Sequence, residues 1–109
     1  MGKPVAGEVV IIPFPQTDLK VGKRRPAFVL VDLPGDDLIL CQITTRARPD
    51  DSSIDLDASD FERGGLSQPS FVRPQRLFTV EQRVILYSAG RVRSSKLAEV
   101  LTKARELFE

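Results

Sequence analysis

Pro26-Ala27-Phe28-Val29-Leu30-Val31, the turn Pro34-Gly35-Asp36-Asp37, and Leu38-Ile39-Leu40-Cys41-Gln42-Ile43-Thr44-Thr45 together decide the fold class. Both apolar runs are short and rich in β-branched residues, which predicts strands rather than helices. The turn residues between them predict a hairpin. Neither run alternates cleanly between apolar and polar, so both strands should be buried on two faces near the middle of the domain. Proline cannot donate a ladder hydrogen bond, so Pro26 is expected as the first residue of its strand.

Upstream, Gly7-Glu8-Val9-Val10-Ile11-Ile12-Pro13-Phe14 reads as another strand, with Pro13 marking an edge or bulge. Residues 15–25 have no period, carry Lys20, Lys23, Arg24 and Arg25, and read as a basic loop. Downstream, residues 46–65 form a polar excursion that opens with Arg46 and Arg48 and carries six acids between Asp50 and Glu62. Within it, Ser53–Asp57 alternates with period two, which predicts a half-exposed edge strand. Asp57 to Arg63 reads as one helical turn ended by Gly64-Gly65. Ser70–Val80 reads as a strand bulged at Pro74, and Val84–Tyr87 as another short strand.

Then the period changes. Leu97, Val100, Leu101, Ala104, Leu107 and Phe108 recur at spacings of three and four, one stripe of an amphipathic helix capped by Ser94 or Ser95. Glu99 and Lys103 are placed for a weak surface pair. A mainly β domain follows: a small bent barrel or partly open sheet of short strands, with the helix packed across one opening. At 109 residues one domain is expected, spanning 1–109 with a radius of gyration near 13 Å.

Composition narrows the chemistry. The chain has no histidine, which removes the commonest general base and nitrogen ligand. Its single cysteine, Cys41, excludes an intrachain disulfide and a cysteine-only zinc site. Cys41 is expected to be a packed core side chain rather than a reactive thiol. No phosphate-binding glycine loop, zinc-ligand spacing or Ser-His-Asp set is present. The carboxylates at 50–62 do not follow a calcium loop and are read as a solvated loop, one that could shield or gate a cleft. No apolar run approaches the ~20 residues needed to span a bilayer, and no signal peptide is legible; a soluble cytoplasmic protein is expected.

Sixteen basic residues nearly balance 15 acids, for a formal charge of +1. The sum conceals a pattern, because binding follows the local field. Eleven of the bases are arginine, suited to gripping phosphate in fixed geometry. Arg24-Arg25-Pro26 enters a strand, Arg46 follows Thr44-Thr45 at the end of another, and Arg73-Pro74-Gln75-Arg76 occupies the bulged strand. If the sheet curls, these strand ends gather into an anion-binding patch with hydroxyls beside it. Phosphate and 2′-hydroxyl recognition need such groups. Phe28, Phe71 and Phe78 are expected in the core, with Phe14 in the core or at its rim, and they form no obvious base-stacking platform.

The order and spacing of these pieces resemble the PemK/MazF family of toxins from type II toxin–antitoxin systems. The residues that carry the resemblance are Gly7-Glu8-Val9-Val10, Phe14–Leu19, Lys23–Leu30, Leu40–Thr45, Gly65-Leu66, Ser70–Pro74 and Arg76–Thr79. It covers nearly the whole chain. It implies an SH3-like barrel of five to seven short strands with a C-terminal helix, paired as a homodimer. The implied activity is metal-independent endoribonuclease cleavage of single-stranded RNA without a cofactor, and the implied partner is a small acidic antitoxin. Two alternatives stand beside it: a non-cleaving RNA- or protein-binding barrel, favoured by the absence of histidine and by Gln75, and a gyrase-directed toxin, since toxins of that activity use a similar fold.

The family's arginine before proline falls on Arg25, its threonine after the hydrophobic strand on Thr44, and its later arginine on Arg73. These three are the expected catalytic residues. Lys23, Arg24, Thr45, Arg46, Gln75 and Arg76 are the expected RNA contacts. Where some members carry an acid two positions after the later arginine, this chain has Gln75, which cannot accept a proton as a carboxylate would. The base would have to be Asp18, Glu8 or an acid from 50–62.

Overall fold

The computed structural model describes residues 2–14, 23–46 and 50–109. Among them run seven antiparallel strands and one α-helix: β1 (Glu8–Phe14), β2 (Lys23–Asp32), β3 (Asp37–Thr44), β4 (Ile54–Leu56), β5 (Phe61–Gly64), β6 (Ser70–Glu81), β7 (Tyr87–Val92) and α1 (Ser94–Glu106). The strands make one sheet in the order β4-β6-β3-β2-β1-β7-β5, curled into a half-barrel. The expected mainly β class with a C-terminal helix holds, and the radius of gyration is 13.3 Å.

The β2–β3 hairpin sits at the centre of the sheet, as its unbroken apolar runs require. One face packs Val9, Phe28, Leu30, Cys41, Ile43 and Val72 against Val100 and Ala104 of α1. The other face packs Val10, Ile12, Ala27, Val29, Leu38 and Leu40 beneath Phe78, Val80, Val84 and Ile85. A strand buried on both faces has no polar side to alternate with, which is why its pattern reads as continuous. Burial also pushes the Cys41 thiol far above its ordinary range, so it is a packed side chain here.

The prolines mark where neighbouring ladders stop. Pro13 pairs with Arg24 on β2 beyond the last β1–β7 pair, Ile11 with Tyr87. Pro26 is not the first residue of β2, contrary to expectation: Lys23, Arg24 and Arg25 precede it within the strand and pair with Phe14, Pro13 and Ile12. It is tolerated because the β2–β3 ladder begins only at Ala27 with Gln42. In β6 the register against β3 jumps from Arg73 with Gln42 to Leu77 with Cys41, leaving Pro74, Gln75 and Arg76 as the expected bulge.

Five further expectations are corrected. The single helical turn over 57–63 is a short 3-10 turn at Ala58–Asp60 followed by strand β5. Tertiary pairing decides this, since Phe61 is buried opposite Val92 and Gly64 lies against Gly90. Residues 84–86 are not strand; β7 starts at Tyr87 after a 3-10 turn. The residue at the N-cap of α1 is Arg93, with Ser94 and Ser95 inside the first turn. Arg93 donates its backbone amide to the Asp60 carbonyl at 2.8 Å and its Nε to the Ser59 carbonyl at 3.0 Å, which fixes the entry to the helix. The helix ends before Leu107 and Phe108, which are exposed, and Glu99 pairs with Lys96 at 3.0 Å rather than with Lys103.

The acidic excursion is not a plain solvated loop. β4 is the expected edge strand, with Ile54 and Leu56 inward and Asp55 outward. Asp57 accepts from the Ser59 amide at 2.9 Å, and its own amide donates to Asp60 at 2.9 Å, a capping box. Lys96 Nζ donates to the Asp55 carbonyl at 2.9 Å and lies 3.6 Å from the Asp60 carboxylate. The acids fasten the loop to the start of α1.

Candidate functional site

Cross-strand partners in a ladder share a face of the sheet, and so do residues two apart on one strand. Arg25 pairs with Ile12, Ala27 with Gln42, and Gln42 with Arg73, while Thr44 pairs with Phe71. Arg25, Gln42, Thr44 and Arg73 therefore leave the sheet on one face, the face of the Ile12 and Ala27 core rather than that of α1. Arg25 and Arg73 are two strands and two residues apart, about 12 Å between Cα atoms. Thr44 lies between them on β3.

β2 and β3 part company at this end. Continuing their register would set Arg25 opposite Thr44, but their pairing stops at Ala27 with Gln42. Polar side chains thus sit where the β2–β3 ladder has ended, beyond the apolar residues that hold the core. Arg25 is exposed and Thr44 half-buried, with its Oγ1 accepting the Arg46 amide at 3.2 Å.

Arg73 is the most constrained of the set. Its Nη1 donates to Gln42 Oε1 at 3.2 Å and its Nη2 lies 3.6 Å from Asp50 Oδ2. Asp50 is held in turn by the amides of Ser52 and Ser53, at 3.1 and 2.8 Å on Oδ1. The Ser53 side chain, those two amides and the Arg73 guanidinium hold the Asp50 carboxyl below the usual carboxylate range. Gln75 Nε2 approaches the same Oδ2 at 3.5 Å.

The other expected residues are distributed unevenly. Lys23 shares the face of Arg25, by alternation, and both are exposed. Arg24 points to the opposite face. Thr45, just past β3, lines a separate cleft of about 510 Å³ with Ile11, Pro26, Ser70, Tyr87 and the 65–68 loop. Arg76 and Gln75, on the β6 bulge, border a second cleft of about 330 Å³ with Gln42 and Phe78. Arg46 is exposed beside Thr44.

Glu8 does not join the group. It lies at the far end of β1, about 13 Å along the strand from Ile12. It is buried there, accepting the Val5 amide at 2.7 Å, with Arg63 at 3.5 Å. Its carboxylate is committed to structure. Asp18, the other carboxylate named as a possible base, lies outside the described residues, as do Lys20 and Arg48 and the side chain of Phe14. Among the described residues no group of three or more carboxylate or thiol side chains is placed to hold a metal ion.

Sequence reasoning missed Gln42, and it named Asp50 only as one of the 50–62 acids that could serve as a base, not as a partner of Arg73. Gln42 was within reach, because it is two residues from Thr44 on the same strand. Nothing in the sequence singled Asp50 out from the other five acids of the excursion, since only the folded loop brings it beside Arg73.

No curated protein sequence matches significantly. Residues 6–108 match the family described as PemK-like, MazF-like toxin of type II toxin–antitoxin system. Among solved structures the chain is similar to MazF of Deinococcus radiodurans, at 26% identity over 99% of this chain and 98% of that one, with a TM-score of 0.75. The D. radiodurans MazE–MazF complex aligns at 25% identity over 98% of this chain and 97% of that one, with a TM-score of 0.76. An endoribonuclease from a mycobacterial species, solved with its cognate antitoxin, shares the fold at 14% identity over 96% and 94% of the two chains, with a TM-score of 0.74. With Arg25, Thr44 and Arg73 on one face of its sheet and the family match running over residues 6–108, this chain belongs to the PemK-like, MazF-like toxins of type II toxin–antitoxin systems.

Proposed function

We propose that this toxin is an endoribonuclease that cleaves single-stranded RNA without a metal or other cofactor. The RNA 2′-oxygen attacks its adjacent phosphorus in line, leaving a 2′,3′-cyclic phosphate and a free 5′-hydroxyl. The observation that carries this reading is the common face of Arg25, Thr44 and Arg73. Two guanidinium groups meeting one phosphate stabilise the charge that grows on its oxygens in the transition state. Thr44 orients the phosphate or the 2′-hydroxyl, because among the described residues no base is paired with it to activate it as a nucleophile. Lys23, Arg46 and Arg76 add sequence-independent attraction for the backbone.

The same basic face suits an acidic antitoxin segment that competes with RNA for one field. Solved relatives named as toxin–antitoxin complexes support that partner. A homodimer in the cytoplasm fits the toxin family, and among the described residues no helix is long and apolar enough to cross a membrane.

The test is cleavage of an end-labelled single-stranded RNA in EDTA. Wild-type protein gives cyclic-phosphate ends, and Arg25→Ala loses about 100-fold in rate, the usual effect of removing one donor from such a site. Intact RNA across many sequences, with folded protein, refutes the reading.

A further inference from the structure

The site's best-anchored acid is one that neither the strand pattern nor the proposed chemistry uses. Asp50 arrives from the segment after β3 and is fixed at both ends of its carboxylate. Oδ1 accepts the Ser52 and Ser53 amides, and Oδ2 faces Arg73 Nη2 at 3.6 Å and Gln75 Nε2 at 3.5 Å. With Gln42 on Nη1, the Arg73 guanidinium is gripped along one edge. Its Nε and the Gln75 Oε1 are buried and have no partner in the described structure. A buried donor left unpaired is costly, and here one donor and one acceptor lie two residues apart on β6, where the strand enters its bulge.

We propose that Asp50 is a positioning residue for RNA cleavage: its carboxylate holds the Arg73 guanidinium and the Gln75 amide in the orientation in which they meet the RNA phosphodiester. The proposal rests on the nuclease reading above. The carboxylate does its work by being ionised, which its hydrogen bonds favour, and so it serves as a clamp rather than as the base. An arginine fixed before the substrate arrives loses less entropy when it binds, and its contribution falls on the chemical step. The clamp has a cost in affinity, because a negative charge beside the phosphate site opposes RNA binding.

These opposed effects give Asp50 a signature that a structural role lacks. In steady-state cleavage of labelled single-stranded RNA, Asp50→Asn lowers kcat about tenfold, while KM stays level or falls. Asp50→Glu, which keeps the charge, recovers part of the loss. In ¹⁵N NMR of the free protein, the Arg73 Nε–H signal is sharp and protected in wild type and broadened in Asp50→Asn. Should Asp50→Asn fail to fold, Asp50→Ser keeps a turn-forming oxygen without the charge and carries the same expectations.

Unchanged kcat overturns the proposal, as does a rise in KM alone. A rise in kcat makes the carboxylate a shield and also overturns it. An identical Arg73 Nε–H signal in both proteins shows that Asp50 does not hold the guanidinium. Wild-type protein that leaves RNA intact refutes the nuclease reading instead, whereas RNA cut equally fast by both proteins refutes only the role of Asp50.

Discussion

Gly90→Ala should detach one edge of the sheet. Gly90 on β7 pairs with Gly64 on β5, and a Cβ at Gly90 would stand 2.5 Å from the Arg63 carbonyl oxygen and 2.9 Å from the Gly65 amide nitrogen. Both are backbone atoms, so neither can move aside as the end of a flexible side chain does. β5 must separate, and among the described residues it pairs with no other strand. The Gly65 amide to Ala89 carbonyl bond at 3.1 Å goes with it, together with a neighbouring ladder bond. Two hydrogen bonds at about 1 kcal/mol net each, plus about 1 kcal/mol of overpacking, give a loss of about 3 kcal/mol. With an unfolding entropy of ~2.1 cal/mol/K per residue, that lowers Tm by about 13 °C. Gly35→Ala is the control. A Cβ there meets nothing within 4 Å, but φ is +81°, so only backbone strain of about 1 kcal/mol is lost. Thermal melts read by circular dichroism, at one protein concentration, compare the two. A Gly90→Ala protein no less stable than Gly35→Ala would refute the close-approach argument.

Two further outcomes follow from burial and charge. Cys41 should resist iodoacetamide in the native protein and react after denaturation, because burial both raises its pKa and blocks access; mass spectrometry reads the adduct, and fast native labelling would contradict the packing. Asp57 is held below its ordinary pKa by the Ser59 side chain and amide, so the stability it contributes is present above about pH 4 and is lost as pH falls through its lower folded-state value. Urea midpoints across pH 2–6 should therefore shift less in Asp57→Asn than in wild type, and parallel curves would remove Asp57 from the acid response.

Much of the fold is legible because it rests on local patterns. The β2–β3 hairpin is written in two β-branched runs around Pro34-Gly35-Asp36-Asp37, and α1 in its three-and-four spacing. The bulge is written at Pro74. β5 is not legible, since Phe61-Glu62-Arg63-Gly64 has no strand pattern of its own and becomes a strand only by pairing with β7. The cap of α1 is misread for a similar reason. Ser94 and Ser95 are the better capping residues, but Arg93 is held by Ser59 and Asp60 across the chain, and those contacts decide where the helix starts.

For the site, the residue types and the strand ends that carry them are readable along the chain: arginines flanking prolines, adjacent threonines and no histidine. Tertiary structure decided which of them meet. Whether Arg25 and Arg73 share a face depends on the registers of two ladders, and a slip of one residue in either would send them to opposite sides. Glu8 and Asp50 show the same division. Both are plain acids in the sequence, yet folding buries one against Val5 and Arg63 and sets the other beside Arg73. Local patterns record how each segment pairs its own backbone, whereas the meeting of side chains from distant segments is fixed only when the sheet closes around its two cores.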